Sequence, residues 1–199
     1  MDAPKTLLAL AGADPTPNAL SESALVLIDC QLEYVDGRLA LPQIGPALAE
    51  AARVLERART AGAPVIHIAH RGAPGGPFDP DGRSGRIAPE VAPREGEPVI
   101  AKRLPNAFAG TELDATLRAL DRKRLIVVGF MTHMCVSSTV RAALDLGYRS
   151  TVVASAAATR DLPACGGGVL DARALHEASL VALADRFAVI VPTAGDLPD

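Results

Sequence analysis

The chain has 199 residues, 49% of them hydrophobic, and 20 Lys and Arg stand against 23 Asp and Glu. This composition supports one large buried core, and the length does not require a second domain. The net charge of −3 excludes the clustered basic surface that binds a nucleic-acid backbone. Residues 7–13, LLALAGA, are too short to span a membrane and make a poor signal peptide. We therefore expect a cytoplasmic protein without nucleic-acid or membrane partners.

Short apolar runs alternate with longer amphipathic stretches along the chain. We predict an N-terminal extension over 1–22, followed by a single domain over 23–199. Strand-length apolar runs occupy 24–29, 64–69, 98–102, 124–130, 150–157 and 187–192. Helical periodicity covers 45–61, 111–121, 134–146 and 171–185. Strands that are apolar on both faces and alternate with helices indicate a doubly wound α/β domain. Its mainly parallel sheet of about six strands would carry helices on both faces.

Residues 71–97 interrupt this alternation and hold much of the Gly and Pro. A stretch of this length without periodicity inside a compact domain is usually a functional loop or a lid. The three cysteines, Cys30, Cys135 and Cys165, are an odd number at wide spacing, so we expect free thiols. The segment after the first strand reads DCQLEY and lacks the G-x-G-x-x-G of a dinucleotide-binding site.

Three reactive side chains follow strands of the predicted sheet. Asp29 ends the first strand, Lys102 ends the third, and Cys135 follows the fourth by a short turn. Taken singly, they suggest a helix cap, a solvated charge and a small buried hydrophobe. Ligands of open parallel sheets bind outside the carboxyl ends of the strands, and all three residues converge there. A helix N-terminus and a nearby ammonium would also lower the pKa of the Cys135 thiol, so we expect a reactive thiolate.

Four segments in this order resemble the isochorismatase-like cysteine hydrolases: LVLIDCQLEY, AKRLPNAFAGTELDATL, VVGFMTHMCVSSTVRAALDLGY and HEASLVALADRFAVIVPT. The resemblance covers residues 24–193. It implies a catalytic triad of Asp29, Lys102 and Cys135, in which the thiol attacks a carbonyl or nitrile-like carbon and Asp29 moves the proton. It also implies a cis peptide bond between Phe130 and Met131, with the N–H groups of Met131 and Cys135 as the oxyanion hole.

The intact triad resembles the amide-hydrolysing branch, since true isochorismatases cleave a vinyl ether without relying on the cysteine. Nicotinamidases in the family have an Asp and two His as metal ligands in a DxH pattern, which this chain lacks. His67 and His70 are three residues apart on a strand and therefore face opposite ways. We predict neither a metal nor another cofactor, although His70 at the strand end could still reach the pocket.

The predicted function is cysteine-dependent hydrolysis of a small amide, ureido or related C–N bond through a thioester-type intermediate. The alternative is a binding or assembly protein, or a redox-sensing thiol protein, on the same fold. We expect a small-molecule substrate and a homo-oligomer. Several candidates have an ordinary structural alternative: core packing for the tyrosine, turn chemistry for the asparagine, and an ion pair with Asp161 for the arginine. The candidate pocket residues are Gln31, Tyr34, Asn106, Phe108, Thr132, His133 and Arg160.

Overall fold

The computed structural model describes residues 3–199 and contains a six-stranded parallel sheet. The strands in chain order are β1 Ser23–Ile28, β2 Val65–His70, β3 Val99–Lys102, β4 Arg124–Phe130, β5 Arg149–Ala158, β6 Leu162–Pro163, β7 Val169–Leu170 and β8 Ala188–Val191. The sheet order is β3-β2-β1-β4-β5-β8, and every neighbouring pair is parallel. β6 and β7 form a separate antiparallel hairpin. The predicted doubly wound α/β fold class is confirmed.

Within residues 3–199, six α-helices accompany the strands. They are α1 Leu7–Leu10, α2 Glu33–Asp36, α3 Ile44–Thr60, α4 Leu113–Ala119, α5 Ser137–Asp145 and α6 Ala172–Arg186. Short 3₁₀ turns lie at Leu20–Glu22, Pro89–Val91 and Ala194–Asp196. α6 begins at an N-cap, where the Asp171 carboxylate accepts from the backbone N–H of Ala174 at 2.9 Å.

Two apolar cores lie on opposite faces of the sheet. Every residue of β1 is buried, and its side chains alternate between the faces. Leu25 and Leu27 pack in the core that includes α3, whereas Val26 and Ile28 pack in the core that includes α4, α5 and α6. This double coverage explains why the central strands are apolar at consecutive positions rather than at alternate ones.

The described part of the predicted N-terminal extension packs against the domain. The buried amide of Asn18 donates to the backbone carbonyls of Leu125 and Arg149, at 3.0 and 2.9 Å. Leu20 is fully buried, and its N–H donates to the carbonyl of Pro198. Residues 18–20 therefore join β4, β5 and the C-terminal segment. Across residues 3–199, none of the helices combines the length and apolarity that a membrane crossing requires.

Candidate active site

The sheet topology brings Asp29, Lys102 and Cys135 into one cluster. Asp29 follows β1, Lys102 is the last residue of β3, and Cys135 lies in a π-helical turn, Thr132–Val136, between β4 and α5. Lys102 Nζ is 2.6 Å from Asp29 Oδ2 and donates to Cys135 Sγ at 3.3 Å. All three residues are buried, with the cysteine 5% exposed. A base, an ammonium and a thiol therefore meet in a water-poor site at the carboxyl ends of the strands.

The backbone around the cluster is unusual at two places. Asp29 lies in the left-handed region with φ of 50°, which non-glycine residues adopt rarely and mainly where function maintains it. Gly129, with φ of 113°, allows β4 to approach β1, because a Cβ there would lie 2.1 Å from the carbonyl oxygen of Ile28. Directly after β4, the peptide bond between Phe130 and Met131 is cis. These features shape the turn that carries the thiol.

The environment of the Cys135 thiol opposes its ionisation. Burial, followed by the nearby Asp29 carboxylate, raises the pKa of Cys135 to about 12, and the Lys102 ammonium offsets only part of that rise. The expectation of a resting thiolate is therefore wrong. The sequence argument considered the helix N-terminus and the ammonium, whereas desolvation of the thiolate and repulsion by the carboxylate have the larger effect. Forming the nucleophile requires a base.

Asp29 is placed to be that base. Complete burial raises the pKa of its carboxyl group, and the charge of Lys102 and the hydrogen bonds from Lys102 and Cys135 oppose this rise. A raised carboxyl pKa strengthens the carboxylate as a proton acceptor. The ion pair with Lys102 keeps the charged form in place inside the protein. The charges of Asp29 and Lys102 thus compensate each other, whereas burying either charge alone would cost free energy of folding.

His70 is the third partner of the Lys102 ammonium. Its Nδ1 lies 3.2 Å from Lys102 Nζ, and the two residues are register partners on β2 and β3. Burial, followed by the charge of Lys102, lowers the pKa of His70 to about 4, so the ring is neutral at pH 7. A neutral imidazole nitrogen can accept from an ammonium. His70 therefore reaches the site by contacting Lys102.

Gln31 binds backbone groups on both sides of the end of β2. Its Oε1 accepts from the N–H of His70 at 2.8 Å, while its Nε2 donates to the carbonyls of His70 and Gly85, at 3.0 and 2.8 Å. The amide thereby clamps the end of β2 to the long loop over 71–97. Both amide hydrogens and the oxygen are engaged in these bonds, and contact of Gln31 with a substrate stays a prediction.

An aromatic cluster covers the site from the long loop. The ring of Phe78 lies edge-on to Tyr34 and to His70, at centroid distances of 5.0 and 5.1 Å, and Tyr34 also meets Phe130 at 5.9 Å. Tyr34 is buried close enough to Cys135 and Asp29 that burial and these two groups raise its pKa. Gly72 permits the loop to fold back, because a Cβ there would lie 1.9 Å from the carbonyl oxygen of Pro77. The sequence contained no periodic signal that identified Phe78.

Two side-chain hydrogen bonds hold the turn that carries the thiol. The hydroxyl of buried Thr132 pairs with Nδ1 of His176 on α6 at 2.8 Å. The next residue, His133, pairs through Nδ1 with the hydroxyl of Thr159, just after β5. These bonds connect the turn to two neighbouring elements. Direct contact of Thr132 or His133 with a substrate stays a prediction.

Arg160 presents an unused donor near the site. Its Nε is buried without a hydrogen-bond partner among residues 3–199. Its charge acts on the pKa of both Tyr34 and His133, which places the guanidinium near these side chains. The considered ion pair with Asp161 does not form, since that carboxylate accepts from the N–H of Ala172 at 2.7 Å. Arg160 stays a candidate pocket residue.

The loop after β3 carries two of the candidate pocket residues, Asn106 and Phe108. Phe108 stacks on Tyr148 with a centroid distance of 5.6 Å, and Tyr148 immediately precedes β5 at the amino end of the sheet. The ring of Phe108 therefore packs against the body of the domain, and its contact with a substrate stays a prediction. Asn106 Oδ1 accepts from the N–H of Phe108 at 2.9 Å, which is ordinary turn chemistry. Only its amide N–H groups are left for a substrate, and that role stays a prediction.

The two histidines of β2 have different partners. His67 Nε2 lies 3.2 Å from Glu97 Oε2, whereas His70 contacts Lys102. Within residues 3–199, no group of three or more His, Cys, Asp and Glu side chains is arranged to hold a metal ion.

Comparison with known proteins identifies the family. The Isochorismatase domain model matches residues 23–195. The chain is 34% identical over 181 residues to the "Secreted isochorismatase effector Isc1" of Verticillium dahliae, covering 90% of this chain and 93% of that protein. It is 37% identical to a "Streptothricin hydrolase" of Streptomyces noursei, covering 88% of this chain and 64% of that protein. It is 29% identical to a "Ureidoacrylate amidohydrolase RutB" of Stutzerimonas stutzeri, covering 72% and 73%.

Solved structures agree with these relatives. A crystal structure described as an isochorismatase from Pseudomonas putida KT2440 matches with a TM-score of 0.94 and 46% identity, covering 98% of this chain and 100% of that one. N-carbamoylsarcosine amidase from Thermoplasma acidophilum matches with a TM-score of 0.74 and 26% identity, covering 86% and 96%. The chain therefore belongs to the isochorismatase family, as a hydrolase with the fold that its sequence predicted.

Proposed function

We propose that the chain hydrolyses a C–N bond in a small amide or ureido compound, with Cys135 as the nucleophile. The observation that carries the proposal is the position of Lys102 Nζ, 2.6 Å from a carboxylate oxygen and 3.3 Å from a thiol sulfur. A protein that only binds a ligand has no need of a buried base, ammonium and thiol in mutual contact. Nucleophilic catalysis requires such an arrangement.

The proposed reaction has two halves. In the first, Asp29 accepts the thiol proton while Cys135 Sγ forms a bond to the carbonyl carbon, and the carbonyl oxygen becomes an oxyanion. The C–N bond then breaks as Asp29 returns the proton to nitrogen, which leaves as ammonia or an amine. In the second half, Asp29 takes a proton from water as the hydroxide adds to the thioester carbon, and the C–S bond then breaks as Asp29 returns the proton to sulfur, which releases the acid and restores the free thiol and the carboxylate.

The protonated resting thiol is consistent with this sequence of steps. The high pKa of Cys135 delays formation of the thiolate until a substrate is present and Asp29 removes the proton. The Lys102 ammonium lies between the Asp29 base and the Cys135 nucleophile, and it stabilises whichever of the two carries the negative charge. For the oxyanion, the N–H groups of Met131 and Cys135 are our candidates, since the first N–H groups of a helix lack intrahelical acceptors.

The surroundings of the thiol favour a compact substrate with a polar end. Tyr34 and Phe78 supply aromatic walls, and Arg160 supplies an unused guanidinium donor. The relatives named as a ureidoacrylate amidohydrolase and an N-carbamoylsarcosine amidase support ureido compounds as the first class to test. The relative named as a streptothricin hydrolase adds amides of larger molecules as a second class.

A second candidate function is hydrolysis of a vinyl ether. The similarity to a protein named as an isochorismatase effector favours it. The two functions differ in their need for the thiol, because the vinyl-ether reaction in true isochorismatases does not rely on the cysteine. A redox-sensing role is disfavoured, since such cysteines have a low thiol pKa and are solvent-accessible, whereas Cys135 is buried with a raised pKa.

The test is a panel of small amides, carbamoyl compounds, ureido compounds and isochorismate, with released ammonia, amine or acid as the readout. Cys135→Ala is the catalytic variant, and Cys165→Ser is the matched control because Cys165 is exposed and distant from the triad in sequence. The proposal expects turnover of at least one C–N substrate that survives in Cys165→Ser and disappears in Cys135→Ala. Turnover of isochorismate alone, retained in Cys135→Ala, would establish the second candidate instead.

A further inference from the structure

The Lys102 ammonium has three polar neighbours, which are one ion-paired carboxylate and two hydrogen-bond acceptors. They are Asp29 Oδ2 at 2.6 Å, His70 Nδ1 at 3.2 Å and Cys135 Sγ at 3.3 Å. The lysine side chain is completely buried, so water is not at hand to replace a missing acceptor. A buried donor left without a partner carries the whole cost of its desolvation. Each neighbour therefore helps to fix the position of the ammonium.

Two of these three neighbours change during the proposed reaction. Asp29 becomes protonated when it takes the thiol proton, and Cys135 Sγ becomes part of a thioester. His70 keeps its charge and its bonding throughout. A lysine N–H donates, so Nδ1 must hold the lone pair and Nε2 the hydrogen, which fixes the neutral tautomer of the ring. The low pKa of His70 agrees with a ring that stays neutral at working pH.

The position of His70 is itself set by the fold. Its backbone is a register partner of Lys102 across β2 and β3. Gln31 engages both the N–H and the carbonyl of His70, and the edge of the Phe78 ring packs against the imidazole. Backbone and ring are thus held on several sides. Such support is what a residue requires if it is to place another group to within a fraction of an ångström.

We propose that His70 is a positioning residue, which holds the Lys102 ammonium against the nucleophile while Asp29 and Cys135 change state. The proposal rests on the function proposed above for its catalytic consequence, although the contact itself does not depend on any substrate. Without the imidazole, one N–H of the buried Lys102 ammonium would lose its acceptor. The ammonium would then move away, and the sulfur would lose stabilisation of its thiolate.

The test compares His70→Asn with His70→Leu, both in a Cys165→Ser background that removes the exposed thiol. Asn carries an oxygen one bond beyond Cγ, as His carries Nδ1, and can replace the acceptor; Leu fills similar space without one. The first readout is the rate of Cys135 alkylation by iodoacetamide at pH 8, which needs no substrate. We expect His70→Leu to slow it about tenfold, equivalent to one pKa unit, and His70→Asn to stay within about threefold of the parent.

The second readout is turnover of the best substrate from the panel. We expect kcat of His70→Leu to fall about tenfold with KM little changed, and His70→Asn to restore most of the loss. Glu97→Gln serves as a control for general destabilisation, because it removes a charge away from the triad. Parent-like alkylation in a folded His70→Leu, or equal loss in both variants, would overturn the proposal. Alkylation that follows the expected pattern without any C–N turnover in the parent would contradict the proposed function alone.

Discussion

Two charge networks share strand β2, one half-buried around Glu97 and one buried around Lys102, and they differ in whether their groups can exchange a proton. Near the amino end, Glu97 accepts from Arg59 Nε and Nη2 and from the N–H of Arg94, each at 2.8 Å, and lies 3.2 Å from His67. At the carboxyl end, His70 and Lys102 meet Asp29 and Cys135. The first network contains only hydrogen-bonded charges and a neutral ring. The second contains in addition a thiol and a base that can exchange a proton.

The difference separates a structural network from a reactive one. The Glu97 carboxylate is saturated by donors, chiefly Arg59, which lower its pKa to about 2 despite partial burial. The Asp29 carboxyl group faces fewer donors in a fully buried site, so its pKa moves upward. The many donors around Glu97 make its carboxylate a poor base, whereas the few donors around buried Asp29 make its carboxylate a better one. The histidines alone, three residues apart in one strand, did not reveal this distinction.

The largest expected effects come from breaking the Asp29–Lys102 pair. Asp29→Asn or Lys102→Met leaves an uncompensated charge in the core, so each should cost about 3–5 kcal/mol of unfolding free energy and abolish turnover. The double variant removes both charges and should recover much of the stability without recovering activity. Urea unfolding and panel kinetics on the three variants test this, and a double variant as unstable as the singles would contradict it.

Removing the Glu97 charge should affect stability without affecting chemistry. Glu97→Gln weakens charge-assisted hydrogen bonds to Arg59, Arg94 and His67, and we expect a loss of roughly 1.5–3 kcal/mol in unfolding free energy. The kcat measured at a temperature where the variant is folded should stay within about twofold, since the triad is untouched. A kcat loss as large as that of the Asp29 variant would show that the two networks are one.

Glu97 should also make the unfolding free energy depend on pH in the acid range. The folded pKa of Glu97 is lowered from 4.5 to about 2, so the unfolded chain takes up the proton first as the pH falls. Its stabilising contribution is present above about pH 4.5 and is lost progressively as the pH falls to about 2. The stability difference between the parent and Glu97→Gln should therefore shrink over that interval. Denaturant titrations at several pH values measure it, and a constant difference would contradict the assignment.

Alkylation of the free enzyme should report the protonated thiol. With the Cys135 pKa near 12, the rate in a Cys165→Ser background should rise about tenfold per pH unit from neutral to pH 9 without levelling. Cys30 is buried and its own pKa is raised, so it should contribute little. A plateau below neutral pH would instead indicate a resting thiolate. Peptide mapping of the modified protein assigns the site.

The smallest change in unfolding free energy is expected at His176, the residue of α6 that contacts the turn carrying the thiol. His176→Ala removes the partner of the Thr132 hydroxyl, and we expect kcat/KM to fall about tenfold while unfolding free energy changes by about 1 kcal/mol or less. His176→Asn keeps a hydrogen-bonding group near the Nδ1 position and should lose less. Equal kcat/KM values of the parent and His176→Ala would contradict the role of His176 in holding the turn.

The sequence predicted the parts of this molecule that depend on periodicity and topology. The six sheet strands and the four long helices appear within a few residues of the expected positions, because apolar spacing reports burial directly. The convergence of Asp29, Lys102 and Cys135 followed from the rule that parallel strands present their carboxyl ends at one edge. These inferences need no knowledge of how loops fold.

The remaining features depend on tertiary geometry. Phe78 reaches the site through a loop whose path is set by close approaches such as that of Gly72 to Pro77, which leave no periodic signal. His70 meets Lys102 because of the β2–β3 register, which the two strand patterns alone did not fix. The thiol pKa was predicted in the wrong direction, because desolvation depends on how deeply the turn is buried. The stacking of Phe108 on Tyr148 was also missed, because the two residues are 40 positions apart in the sequence.

The covalent intermediate is the central claim, and partitioning with hydroxylamine tests it most directly. Two substrates that share an acyl group but release different amines are hydrolysed with hydroxylamine present, and the ratio of hydroxamate to acid is measured. A common Cys135 thioester predicts the same ratio for both substrates, because the leaving group has departed before the partition, and no product in Cys135→Ala. A ratio that changes with the leaving group would contradict the account, since water would then attack the substrate directly.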